Sequence, residues 1–420
     1  PGTGLTVPGQ AVFVANAGES VDLGDAGGGA TNFGSLLLPG GADAAIFENS
    51  ATILDGVNAG TFSLTSGGNV IQTAPVVAAG ATALDAGGFD ITLANPNNNM
   101  GDLTVTANNV SIRENAPVTD GGAWTTGATT LQGTSVTLDN AGNVLGDLTL
   151  LGGGPAQIVE NDDITDGAAW NTAATNLNAG GNNIVLDVAG SVTGPLTLTG
   201  NDVTVDRDAA IDVAQATVAN DLALTSGTGI TDSGALSVTV GNDVSLVTDA
   251  NDGNVNMNQL DVTGDFTVMT DGAGDATLVN TTGINFASAN VGGDLDATAT
   301  TGDLTDSGAV TVGGTADLDA ANILLDDGFA AGNLTFTSAG TVDITEVDGT
   351  NLAGINTAGT LVLQSGGAVV DGAGATLSVG GNADISGTSI TLDNDLTTVF
   401  GSLTFTSGGA VIIDENDGTV

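Results

Sequence analysis

The chain has 420 residues, and its 49 acidic side chains stand against two arginines, Arg113 and Arg207, for a formal net charge of −47. A polyanion of this kind cannot neutralise phosphates, which excludes nucleic acid as a partner and disfavours an anionic membrane surface. His, Cys, Lys and Tyr are absent, so most nucleophilic catalysis and the usual zinc sites have no groups to work with.

Hydrophobic residues make up 41% of the chain, too many for a disordered polymer. They come in short runs, far below the roughly 18 apolar residues a membrane helix needs, and no membrane insertion is expected. Residues 1–62 carry the weakest internal pattern, with four of the eleven phenylalanines: Phe13, Phe33, Phe47 and Phe62. They read equally as a terminal cap or as diverged rungs. From residue 63 to 420 one unit recurs: a Gly, a polar residue, then apolar–Thr alternation, as in Gly101-Asp-Leu-Thr-Val-Thr106, Leu196-Thr-Leu-Thr199 and Leu334-Thr-Phe-Thr337. A period of two means a strand with one face buried, and Thr and Val suit a pleated surface. Gly-Gly, Asn-Asn and Asp-Gly pairs between these segments are expected to make turns through positive φ.

The clearest echo is Val118-Thr-Asp-Gly-Gly-Ala-Trp124, repeated as Ile164-Thr-Asp-Gly-Ala-Ala-Trp170, with weaker copies at Ile230, Leu304 and Val370. The Gly–Asp–Leu–Thr marker opens at 101, 146, 194, 220 and 264, with steps of 45, 48, 26 and 44. These are near multiples of about 22 residues, the size of one coil of a β-helix. The fold class this implies is all-β, a right-handed parallel β-helix (β-solenoid) of about 22 residues per rung. Roughly 19 rungs, each rising about 4.8 Å, would give a rod on the order of 90 Å long. Leu148, Leu150, Leu196, Leu198, Val203 and Val205 are expected inside. Trp124 and Trp170 fall at matching positions two rungs apart, as corner packing or, alternatively, as a sugar-stacking platform. The chain ends inside a repeat, since Glu415-Asn-Asp-Gly-Thr419 parallels Glu346-Val-Asp-Gly-Thr350, so it reads as part of a longer rod.

Carboxylates are the chemistry that remains. Asp162–Asp163, Asp206–Asp208 and Asp326–Asp327 could serve as a glycosidase pair, and Arg113 and Arg207 read as local charge relief. Calcium suits carboxylates better. The candidates are Asp249, Asn251 and Asp252 in one loop and Asp414, Asn416 and Asp417 in another, with oxygens at alternate positions. Neither loop is followed by the Glu of an EF-hand, and the competing reading is that Asp and Asn build turns and keep the chain soluble. Stacked outward Thr residues would make an ice-binding face if they recurred at every rung, which they do not.

Gly146-Asp-Leu-Thr-Leu150, Ile230-Thr-Asp-Ser-Gly-Ala-Leu-Ser-Val238 and Ser389-Ile-Thr-Leu-Asp-Asn394 resemble the repeats of filamentous haemagglutinin-type giant surface proteins of Gram-negative bacteria, over about residues 60–420. The resemblance implies a secreted β-helix at the cell surface, used for adhesion, aggregation or as a fibre. The single Asn95-Pro-Asn97 lacks the setting of that family's secretion domain, and the scarcity of basic residues departs from the better-known adhesins. The function expected is a non-catalytic extracellular filament, stalk or surface-layer element, self-associating head-to-tail or laterally, with a carbohydrate or cell-surface molecule as its ligand. The alternative is a carbohydrate-active β-helix enzyme.

Overall fold

Each alternating segment forms a strand with its apolar residues inward and its Thr and Asp residues outward, as in Asp102–Thr106 and Leu196–Gly200. A computed structural model describes residues 5–24, 31–393 and 398–416. Among the described residues the strands pair in parallel register with strands of the neighbouring turns, which makes the chain an all-β parallel β-solenoid of about 19 turns. It divides into two compact units, Pro1–Asn201 and Asp202–Val420.

The first unit is carried by two long ladders. Ladder I runs through Ser20–Leu23, Asp43–Glu48, Phe62–Ser66, Thr82–Asp85, Asp102–Thr106, Val118–Asp120, Val136–Leu138, Ala156–Val159, Thr175–Asn178 and Leu196–Gly200. Ladder II runs from Thr6–Val12 through Asn32–Leu38, Thr52–Ala59, Val70–Ala78, Ile91–Leu93, Val110–Arg113 and Thr129–Gln132 to Leu148–Leu150. The strands of residues 6–48 are therefore members of the same ladders as the later ones. Inside, Ile46, Leu64, Leu84 and Val105 lie one above another, as do Leu138, Ile158, Leu177 and Leu198. Leu148, Leu150, Leu196, Leu198, Val203 and Val205 are all in the core.

The second unit has three strands to a turn. One ladder joins Leu295, Ala316, Leu334 and Leu352. The strand Thr350–Leu352 carries this ladder on to Val369, Ile390 and Val411. Another joins Leu304, Ile323, Val342, Leu361, Ala383 and Leu403, and a third joins Thr357, Ser378 and Val399. Phe266 stacks on Phe286, edge to face at 6.4 Å, a geometry that favours aromatic pairs.

Turns hold roughly 20 residues rather than 22. The register advances by 19 along Val110, Thr129 and Leu148 and by 25 from Ile230 to Val255, where the loop of Asp249–Gly253 adds length. The longer estimate has a physical origin. Spacings of 44–48 suggest two whole rungs, but equivalent phrases sit on different ladders: Leu103 is on ladder I, while Leu148 is on ladder II. Val118 likewise pairs with Val136 on ladder I, and its copy Ile164 pairs with Ile184. One copy of the phrase thus covers two turns and part of a third. What it encodes is a Gly corner followed by a strand, and either side of the coil can use that.

Candidate functional site

The corners hold most of the polar chemistry. Where positive-φ turns were expected at Asn and Asp, the described residues show only two, Asn251 and Asp252. Instead, corner carboxylates and amides accept backbone N–H groups from the next turn. Asp202, Asp221 and Asp243 form one such column, bonding the N–H of Asp221, Asp243 and Asp265 respectively. Asn254, Asp275 and Asp294 form another, bonding Asp275, Asp294 and Thr315. Chain reversal at a solenoid corner leaves N–H groups without a strand partner, and a buried one is costly, so short oxygen-bearing side chains are selected there.

The Thr-Asp phrase is the strongest form of this device. Asp120 accepts the N–H groups of Asp139 and Asn140 at 3.0 Å each, and the Asn143 amide at 2.8 Å. Its copies repeat the bond: Asp166 to Asp187 and Val188, Asp232 to Asn258 and Gln259, Asp306 to Asp326 and Asp327, Asp371 to Asp393. Burial lifts the Asp232 and Asp306 carboxyls above the ordinary range, although these N–H groups pull the other way. Trp124 and Trp170 are buried at the corners beside their Asp residues, with no face to offer a sugar. Their indole N–H groups donate to the carbonyls of Leu103 and Leu148, at 3.0 and 2.7 Å. Because those leucines belong to different ladders, the two Trp residues fill different corners rather than the same one two rungs apart.

A second carboxylate series has no counterpart among the residues singled out from sequence. Glu48, Glu114, Glu160, Glu346 and Glu415 each turn inward at the end of a strand and accept a backbone N–H from the preceding turn. The donors are Phe33, Met100, Leu145, Ala331 and Phe400, at 2.9–3.3 Å. The other oxygen of each is buried without a hydrogen-bond partner. Burial raises Glu48 and Glu346, pushes Glu114 up to about 7 and pushes Glu160 up to about 8. A sequence signal was present: all five stand in Ile-x-Glu, at Ile46, Ile112, Ile158, Ile344 and Ile413, four of them followed by Asn. Glu19, the sixth glutamate, lacks it.

The calcium candidates fall as follows. Asn251 donates to the Gly227 carbonyl, and Asp252 accepts the Ala273 N–H, so both are tied to neighbouring turns. The N–H groups of Asp414 and Asn416 pair with Leu392 and Thr398, and Asp417 lies outside the described residues. Among the described residues the carboxylates that converge are Asp306, Asp326 and Asp327, with oxygens within 4.8 Å of one another. Both oxygens of Asp306 already hold backbone N–H groups. Of the other proposed pairs, Asp163 accepts the Asn183 N–H. Arg207 is buried, 2% exposed, in line with Val203 and Val205. Arg113 is exposed. No helix among the described residues is long and apolar enough to cross a membrane.

Ladders of short strands with acid-tied corners define a β-solenoid repeat protein. The chain belongs to the family described as repeats of unknown function (DUF5649), which it matches over residues 41–107, 99–152, 200–259, 273–335 and 339–398. Each matched segment spans about three turns, so the family unit is a stack that buries its own apolar faces. No curated protein and no solved structure matches the chain.

Proposed function

We propose that the chain is a non-catalytic extracellular structural element, a filament, stalk or surface-layer rod that assembles head to tail, with an adhesive role toward a carbohydrate or cell-surface partner. The observation that carries this reading is the use made of the polar groups. The recurrent acids, which in an enzyme would converge on a cleft, are distributed one corner at a time and bonded to backbone. The phrases resembling filamentous haemagglutinin-type repeats support the same reading.

Support for assembly comes from the ladders themselves: backbone pairing passes from turn to turn in parallel register, and a strand edge that nothing covers pairs readily with another chain. Sedimentation velocity over a concentration series, with negative-stain electron microscopy, tests this. The expected outcome is concentration-dependent fibres one coil wide. A species that stays monomeric at every concentration sinks the reading.

The second reading, a carbohydrate-active enzyme, has the convergence of Asp306, Asp326 and Asp327 on its side. Release of reducing ends from a polysaccharide panel, lost in Asp326→Asn, would establish it.

A further inference from the structure

The five inward glutamates are one device repeated. Each bonds a backbone N–H on the preceding turn through one oxygen, while its other oxygen is buried and unpartnered. An ionised carboxylate offers about four acceptor sites and is poorly tolerated in a buried corner with only one to three donors, whereas the neutral acid can make the same bond at much lower desolvation cost. Among the described residues no cation acts on these carboxyls to change that balance. Glu48 faces the Phe33 N–H and the Ser50 hydroxyl. Glu114 faces the Met100 N–H, and its neighbour Arg113 lies exposed on the opposite side of the strand. Glu346 faces the Thr350 hydroxyl and the Ala331 N–H, which favour ionisation less than burial opposes it; Asp348 beside Glu346, and Asp162 beside Glu160, oppose it further.

We propose that Glu48, Glu114, Glu160 and Glu346 are proton-held clamps: each closes its corner as the neutral acid, so the coil is tightest at these corners in acid and loosens there as rising pH removes the protons. The geometry predicts where the effect is felt, namely at the N–H donors one turn back. The direction of the shifts agrees, with Glu114 at about 7 and Glu160 at about 8, both raised by burial.

Only six glutamates occur in the chain, so carboxyl NMR of full-length protein labelled with ¹³C-glutamate resolves them site by site. Glu114 and Glu160 are expected to titrate at least a hundredfold lower in proton concentration than the ordinary glutamate value of 4.5 implies. Above those midpoints, amide exchange at Met100 and Leu145 should speed up at least tenfold beyond the intrinsic base-catalysed rise. In the Glu114→Gln/Glu160→Gln double variant, an isosteric mimic of the protonated pair, that extra acceleration disappears and Tm depends less steeply on pH between 4.5 and 8. Glu114 and Glu160 titrating near the ordinary value of 4.5 overturns the proposal, and so does a double variant whose Tm falls as steeply as that of the parent. The wild-type titration decides the matter even if the variant does not fold.

Discussion

Asp120 and Trp124 stand four residues apart and close one corner from two directions. The carboxylate gathers two N–H groups and the Asn143 amide from the following turn. The indole reaches back to the Leu103 carbonyl of the preceding one. Asn143 joins them, since its oxygen also accepts the Trp124 N–H at 2.8 Å. Removing a partner from part-buried donors is costly, so Asp120→Ala should destabilise by about 1–3 kcal/mol. Exposed Asp208 is the control, and Asp208→Ala should stay within about 0.5 kcal/mol. Trp124→Ala removes a buried aromatic together with its hydrogen bond, and should lower stability by about 3–5 kcal/mol. Urea unfolding of the three variants checks these values. Equal losses at Asp120 and Asp208 would show that the corner carboxylate is ordinary surface charge.

At the scale of the strand and its corner, glycine has a packing role that turn chemistry alone does not describe. A Cβ on Gly154 would run into the Thr134 carbonyl, and one on Gly234 into that of Ala214, both on the previous turn. Turns stacked at a strand spacing of about 4.8 Å leave no room there. Gly181 has open space around it. Gly234→Ala should therefore lower Tm measurably, while Gly181→Ala should leave it unchanged or raise it slightly through the unfolded state. Scanning calorimetry separates the two cases. The same geometry explains what could be read from the amino acids and what could not. Leu-Thr-Leu alternation marks inside from outside wherever it occurs, so Leu148, Leu196 and Val203 could be placed in the core. The number of sides to a turn could not be counted from Gly-Asp-Leu-Thr, because that phrase opens a strand on either ladder. Glu114 and Glu160 escaped notice for a related reason. Glu followed by Asn after a strand reads as a solvated turn, and only the recurrence of Ile-x-Glu distinguishes it.

For the whole molecule, charge and buried acid act with the same sign. Glu114 and Glu160 have folded-state values raised above the ordinary 4.5. Their contribution to stability is complete below about pH 4.5 and is lost as pH climbs through about 7 and 8, at roughly 1.4 kcal/mol per unit for each group still protonated only in the folded state. Asp296 and Asp317, stacked on adjacent turns, are raised by burial and by repulsion that involves Asp319, and they add to the slope. A net charge of −47 over about 19 turns places like charges within one Debye length, about 8 Å at physiological salt. Tm should accordingly rise with NaCl and with millimolar calcium relative to EDTA. Coincident melting curves across those conditions would show that repulsion is already balanced within the fold.

The offset between phrase and turn has a consequence for how such chains lengthen. Duplicating the stretch that begins at Val118 and returns at Ile164 would not simply extend the stack. Everything downstream would be handed from one ladder to another, as Val118 and Ile164 themselves are. A residue that pointed one way before the duplication would point another way after it. Copy number thus sets azimuth as well as extent, and lineages that gain or lose a single unit would present the same outward side chains on a different flank.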